Sequence, residues 1–332
     1  MRQAWNGHWS NTSLEADELI RTVMQHYFTE PVTRHKILRD RDRIVAEVEV
    51  GENTYFLKGE KQPASFIEKV IEFTIIMSKA GLPFIVPENT MKGNRCVEHE
   101  GLLFILERQG HGEEIKRLRL SHIREIGKLL GKQHAISSTT DFRFGTGTSW
   151  GMFGGNETDA LGDYDENELS YLDFVQNVEG QETFRMELAT VKELYQSRRS
   201  YLKEVWSSLP AGPVQGDLCP YNLLFQQDKI SAVFDYDIAG DEVLLNECIG
   251  VAVFLAWHYD FEGQETPEER YEAYIDAYTL ERPLSDHEKE MIPHLFAIIR
   301  AFRYDRIEDG INKIKQGDGK AFMDETIYLL QG

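Results

Sequence analysis

The chain has 332 residues, 41% hydrophobic and 28% charged, with 36 Lys and Arg against 56 Asp and Glu, a net charge of −20. That is the composition of an ordinary soluble globular protein, long enough for two lobes around one cleft or one large domain. Its negative charge repels nucleic-acid phosphates and anionic lipid heads, and no apolar run nears the roughly 20 residues that span a bilayer. No basic region followed by an apolar core opens the chain as a secretory signal would. The three cysteines, Cys96, Cys219 and Cys248, form no C-x-x-C pair. They argue against a disulfide framework or a structural zinc and for a reducing, cytoplasmic setting. Residues 1–108 carry 14 basic and 16 acidic side chains, and residues 109–332 carry the remaining 22 and 40. A cleft in that acidic stretch would concentrate a cationic substrate, although acidity also serves solubility alone.

In chain order, Thr12-Ser13-Leu14-Glu15 reads as a capping box opening a helix to about residue 28. Strands are expected at 43–50 and 54–58, joined by Gly51-Glu52-Asn53. A helix starting at Pro63-Ala64-Ser65 carries Phe66, Val70, Phe73 and Met77 and closes at Gly81. A second hairpin comes next, around 94–98 and 102–106. These elements make a small antiparallel sheet with one packed helix.

Helices take over from about Arg108. Residues 121–136 place Ile123, Ile126, Leu129, Leu130 and His134 at helical spacing, and His134 reads as a packed core histidine. Residues 142–155 are a loop rich in glycine and aromatics. No basic residue occurs between Arg143 and Arg185, whereas Asp163, Asp165 and Glu166 are among the acids there. This acid run is a solvated loop and helix face or lines an acceptor site. A helix at 187–207 precedes the segment that carries chemistry, and three or four come after it. The apolar run 249–257 reads as a buried helix.

That segment is Gln215-Gly216-Asp217-Leu218-Cys219-Pro220-Tyr221-Asn222, then apolar residues 223–225, a polar turn, and 230–234 leading into Asp235. With Phe225 opposite Ile230, Asn222 comes near Val233 and Pro220 near Asp235. Strands about 4.8 Å apart then let Asn222 and Asp235 share one cation. An Asp, an Asn and a second Asp meeting beside a strand end is how kinases hold Mg²⁺ and a substrate hydroxyl. Turn propensity alone also accounts for Asp and Asn, so the Gly, the Pro and the flanking strands give the pattern its weight. Cys219 reads as a small filler in the loop.

On these residues the chain resembles the aminoglycoside phosphotransferase and choline-kinase-like family, small-molecule relatives of protein kinases. The supporting pieces keep the family's order: Tyr55-Phe56-Leu57-Lys58, Ala80-Gly81-Leu82-Pro83, the helix from Ile126 to Ala135, the 215–222 loop, Phe234-Asp235-Tyr236-Asp237, and Tyr274 through Glu288. The resemblance implies an α+β, two-lobed protein-kinase-like fold. Residues 1–108 would be a nucleotide-binding lobe and 109–332 a larger, mainly helical catalytic and substrate-binding lobe. It implies transfer of the γ-phosphoryl of ATP, with Mg²⁺, to a hydroxyl of a small metabolite or aminoglycoside, a cationic one among the candidates. Asp217 would accept the hydroxyl proton, Asn222 and Asp235 would ligate Mg²⁺, and Lys58 would pair with the α and β phosphates. Glu68 or Glu72 would hold Lys58, with Glu72 preferred because Glu68 can serve as capping partner of Ser65.

Three departures stand out. Gln215 replaces the family's histidine, 37–50 lack glycine where a phosphate loop is usual, and Asn246-Glu247 replaces an aspartate that braces the catalytic loop. Glu247 could serve as that brace with a longer arm. Arg41 or Arg43 could contact phosphate in place of the glycine loop, although a solvated charged turn is the simpler reading. A protein Ser/Thr kinase and a non-catalytic kinase-like binding module are the competing readings.

Overall fold

The computed structural model describes residues 14–40, 43–148, 151–153 and 164–332. Contacts divide the chain after His111 into two units. The first is built on a five-stranded antiparallel sheet in the order β1-β2-β3-β5-β4. Its strands are β1 (Arg34–Asp40), β2 (Ile44–Val50), β3 (Asn53–Glu60), β4 (Val97–His99) and β5 (Leu102–Arg108). Period-two alternation sets the two faces. On β3, Tyr55, Leu57 and Gly59 are buried, while Phe56, Lys58 and Glu60 alternate with them on the other side.

Leu57 joins Ala46, Val48 and Leu106 under α1 (Leu14–Met24), whose Leu19, Ile20 and Val23 complete that core. Ile105, opposite Lys58, packs against Ile67 and Ile71 of α2 (Ala64–Lys79). The sheet therefore has a helix on each face, one more than expected. Each fully buried aliphatic side chain here contributes roughly 1.5–3 kcal/mol.

Local corrections have local causes. α1 stops at Met24 rather than about residue 28, because His26 and Tyr27 N–H groups bond the carbonyls three residues back and tighten the chain into a turn. The cap residues Thr12 and Ser13 lie outside the described residues. β1 has no counterpart among the expected strands: it is charged and follows no alternation. α2 begins after Pro63 with no side-chain cap, so the capping role expected of Glu68 is not used.

The second unit is mainly helical: α3 (Leu120–Ser137), α4 (Glu166–Val178), α5 (Arg185–Val205), α6 (Leu244–Val253), α7 (Pro267–Glu281), α8 (Asp286–Ala301), α9 (Tyr304–Lys315) and α10 (Lys320–Gln331). Five helices thus come after residues 215–235 among the described residues, not three or four. Two short antiparallel pairs interrupt them: β6 (Ala211–Val214) with β9 (Gly240–Val243), and β7 (Leu223–Gln226) with β8 (Lys229–Val233). α6 continues as a π-helical turn, Phe254–His258, and Ile249, Ala252, Val253 and Leu255 are fully buried, as expected of that apolar run. No helix among the described residues is long and apolar enough to cross a membrane.

α3 and α7 pack with their backbones unusually close. A Cβ at Gly127 or Gly131 would lie 2.6 Å from the carbonyl oxygen of Tyr274 or Tyr278. Only glycine fits, and the fit brings His134, one turn on, against Tyr278. Gly131→Ala is expected to lower stability by about 1–3 kcal/mol, because the overpacking outweighs alanine's better helix propensity. Urea unfolding checks this; an unchanged midpoint would mean that the helices separate without cost.

Candidate active site

The β7–β8 hairpin places the segment from Gln215 to Asp235. Phe225 pairs with Ile230 as the alternation indicates, but a bulge between Leu224 and Phe225 shifts the register, so that Leu223 faces Val233. The shift brings the N–H of Phe234 onto the carbonyl of Asn222 at 3.1 Å. Asn222 therefore lies opposite Phe234 rather than Val233, one residue nearer Asp235. A bulge adds a residue to one strand and re-aims the side chains beyond it.

Asn222 ends a 3₁₀ turn, Pro220–Asn222. Its Nδ2 donates to the Asp217 carbonyl at 2.9 Å and to Asp217 Oδ2 at 3.0 Å. Its side-chain oxygen accepts no hydrogen bond from a described residue. Asp235 holds a left-handed backbone, φ 66°, which Asp and Asn tolerate better than other side chains.

Gln215, fully buried, explains how the loop does without histidine. Its Oε1 accepts from the Asp217 N–H at 2.7 Å and its Nε2 donates to the Asp235 carbonyl. One side chain thus ties Asp217 to Asp235. Gly216 has φ 86°, and a Cβ there would sit 2.4 Å from the Ile238 carbonyl oxygen. Its N–H donates to Glu247 Oε1 at 2.9 Å, so Glu247 braces the loop from α6 as its longer arm allows.

That brace is anchored in depth. Glu247 Oε2 lies 2.7 Å from His134 Nε2, His134 Nδ1 lies 2.8 Å from the Tyr278 hydroxyl, and Arg282 donates to that hydroxyl at 3.1 Å and to Glu288 at 2.7 Å. Burial lowers the His134 pKa against the pull of Glu247. This favours the neutral imidazole, for which the hydrogen-bond pattern puts the proton on Nε2 and leaves Nδ1 to accept. His134 is a structural core residue, as its helical spacing suggests.

Burial raises the Asp217 carboxyl above the usual range. Hydrogen bonds from Cys219 and Asn222 oppose this, while the charges of Asp235 and Glu247 add to it. A carboxylate made more basic and held by directed donors suits proton abstraction near neutrality. Cys219 is buried, and burial together with Asp217 pushes its thiol far up, so it is no nucleophile.

No three His, Cys, Asp or Glu side chains among the described residues come together as a metal cage. A Mg²⁺ that keeps waters and phosphate oxygens needs only one or two protein oxygens, and the Asn222 oxygen and the Asp235 carboxylate would be two hard ones. The donor set fits that ion.

In the first unit, Lys58 Nζ lies 2.9 Å from Glu107 Oε2. Glu107 is opposite Phe56 in the β3–β5 register, so it is a same-face diagonal neighbour of Lys58. Glu72, expected in that place, is exposed on α2, as is Glu68. The structure puts the strand carboxylate at the lysine instead of either helix carboxylate. The other oxygen of Glu107 is buried without a hydrogen-bond partner. Sequence reasoning missed Glu107, although a lone acid ending the apolar run Leu102–Leu106 was the available signal. Arg43 pairs with Glu60 at 3.2 Å, and Arg41 lies outside the described residues. Within the acid run, Asp165 caps α4 by accepting from the Glu168 N–H at 2.8 Å and pairs with Arg199 at 2.5 Å, a structural role. Asp163 lies outside the described residues.

Residues 36–288 match the family described as the phosphotransferase enzyme family, APH. A homoserine kinase of Bradyrhizobium sp. (strain ORS 278) is 32% identical over 128 residues, 37% of this chain and 38% of that protein. The chain thus spans little more than a third of the length of the curated relatives it matches. Among solved structures, an amicoumacin kinase in complex with AMP-PNP and Ca²⁺ superposes with a TM-score of 0.63 at 14% identity, covering 95% of this chain and 92% of that one. A microcompartment-associated aminopropanol kinase does so with a TM-score of 0.61 at 17% identity, covering 91% and 98%. The fold is that of these kinases.

Proposed function

Because the chain belongs to the phosphotransferase enzyme family, we propose that it moves the γ-phosphoryl group of ATP to a hydroxyl of a small molecule. The observation that carries this reading is the bracket around Asp217: Gln215 on its N–H, Asn222 on its carboxylate, and Asp235 tied to it through Gln215. Asp217 accepts the proton of the acceptor hydroxyl as that oxygen bonds to the γ phosphorus. The bond from the γ phosphorus to the β–γ bridging oxygen breaks, and ADP leaves. Phosphoryl transfer asks the protein chiefly for positioning and charge stabilisation, which a rigid, hydrogen-bonded loop supplies.

Asn222 and Asp235 would hold Mg²⁺, which when bound neutralises charge on the phosphate oxygens. Lys58 is assigned to the α and β phosphates, with Glu107 in the holding role expected of Glu72. Homoserine and aminopropanol, named in two of the relatives, are both amine-bearing alcohols. The excess of acidic side chains beyond residue 108 suits such acceptors.

The test is ADP release with Mg²⁺ and ATP across hydroxylated amines, amino acids, sugars and aminoglycosides, with Asp217→Asn as blank. Turnover of at least one small hydroxyl compound by the parent alone is expected. No ADP release with any of them, together with no rise in melting temperature on adding Mg²⁺ and ATP, would end the kinase reading.

A further inference from the structure

One carboxylate of the acid run makes no hydrogen bond with a described residue. Neither oxygen of Glu166 accepts a hydrogen bond from a described residue, and Oε1 is closed off from solvent. The first turn of α4 is tied to the start of α9 by Asn167 Nδ2 donating to the Phe302 carbonyl at 3.3 Å. That tie joins the start of α4 to the start of α9, and Glu166 feels the charges of Arg303 and Asp305. Arg303 Nε lies 3.1–3.2 Å from the two Asp305 oxygens, and its two terminal nitrogens bond no described residue. His258, which ends the π-helical turn, meets Asp305 through Nδ1 at 3.1 Å and keeps Nε2 buried without a partner. A partly buried carboxylate and an imidazole nitrogen both left unsatisfied are costly unless something else bonds them.

A chain of ring contacts runs from Arg303 to the catalytic loop. Arg303 lies 4.8 Å over the Phe254 ring, Phe254 and Tyr259 are 5.8 Å apart, and Tyr259 and Tyr221 are 5.2 Å apart. Tyr221 is half exposed and stands between Pro220 and Asn222 of the loop. Electrostatics give the same connection. Burial pushes the Glu166 carboxyl up to about 7, Arg303 acts against this, and the charges of Asp305, Asp165 and Asp217 add to it.

We propose that Glu166 and Arg303 form the acceptor head-group subsite, Glu166 taking an ammonium and Arg303 a carboxylate, so that the acceptor is an amino acid with a side-chain hydroxyl. This rests on the kinase reading above and narrows it. An ammonium alone at Glu166 would feel the Arg303 guanidinium and be repelled. A zwitterion places opposite charge at each, and the free fork of Arg303 matches a carboxylate's two oxygens.

Three probes separate the two contacts: homoserine, its decarboxylated counterpart aminopropanol, and its deaminated counterpart γ-hydroxybutyrate. With the full chain, Mg²⁺ and ATP, kcat/KM for homoserine is expected to exceed both others by about tenfold or more. Glu166→Gln should raise KM about tenfold for homoserine and aminopropanol and leave γ-hydroxybutyrate unchanged. Arg303→Met should raise KM for homoserine and γ-hydroxybutyrate and lower it for aminopropanol, whose ammonium no longer meets the guanidinium. The parent's KM for homoserine should fall between about pH 6 and about pH 8 as Glu166 ionises, and Glu166→Gln should flatten that fall. Aminopropanol turned over as well as homoserine, or either variant affecting all three probes alike, would overturn the proposal. So would no turnover of any probe while Mg²⁺ and ATP still raise the melting temperature, and that result would leave the kinase reading standing.

Discussion

Asp217→Asn is expected to bind Mg²⁺ and ATP as the parent does and to lose turnover by roughly three orders of magnitude. The amide keeps the shape of the carboxylate and can still accept from Asn222 Nδ2, so the loop should hold its form. The capacity to take the hydroxyl proton is lost. The raised pKa of Asp217 adds two expectations. In the parent, kcat/KM should rise with pH through an acid limb above the ordinary carboxylate range, because the ionised form is the base.

The stability effect has the opposite sense. A carboxyl whose folded pKa is raised favours the folded state below that pKa, and the advantage disappears as pH rises through it. Burial and the charges of Asp235 and Glu247 are the causes here. Asp217→Asn should therefore melt above the parent near neutrality, with the gap closing in acid. Calorimetry across pH reads this directly. Turnover within about tenfold of the parent would remove Asp217 from the role of base.

Asp235→Ala is expected to abolish the Mg²⁺-dependent rise in melting temperature and, with it, detectable turnover. In the parent, nucleotide at a hundred times its Kd should stabilise by about 2.7 kcal/mol, and the variant should show none of the metal-dependent part. Alanine at φ 66° also adds backbone strain, so some loss of intrinsic stability would accompany the chemistry. Asp235→Asn separates the two effects. Asparagine accepts the left-handed conformation and should melt like the parent without nucleotide, yet lack the anionic ligand for the metal. A full Mg²⁺-dependent shift in Asp235→Asn would assign the metal to other oxygens.

The catalytic hairpin was legible because alternation, a polar turn and the Asp and Asn positions all agreed over one short stretch. Its bulge was not, because a one-residue excess leaves no compositional mark on strands this short. β6 and β9 escaped notice for a related reason: Ala211-Gly212-Pro213-Val214 has neither alternation nor a run of branched residues, and only its partner makes it a strand. The lysine's partner was misassigned for want of register. Glu107 is far from Lys58 in sequence and reaches it only because β5 lies alongside β3. By contrast, His134 in the core was readable from helix spacing, since it needs only one helix to face inward, and Glu247 at Gly216 was readable from the family resemblance. The acid run resolves into unlike roles, Asp165 capping α4 while Glu166 is left uncommitted. Composition cannot draw that distinction.

The left-handed backbone at residue 235 bears on how such a protein could decay by mutation. Aspartate's codons are one nucleotide from those of asparagine and of glycine, the two replacements that this conformation accepts most readily. Both changes at this codon would thus yield well-folded siblings without phosphotransfer. A cell would go on making them in full amount, since nothing in their folding would mark them for destruction.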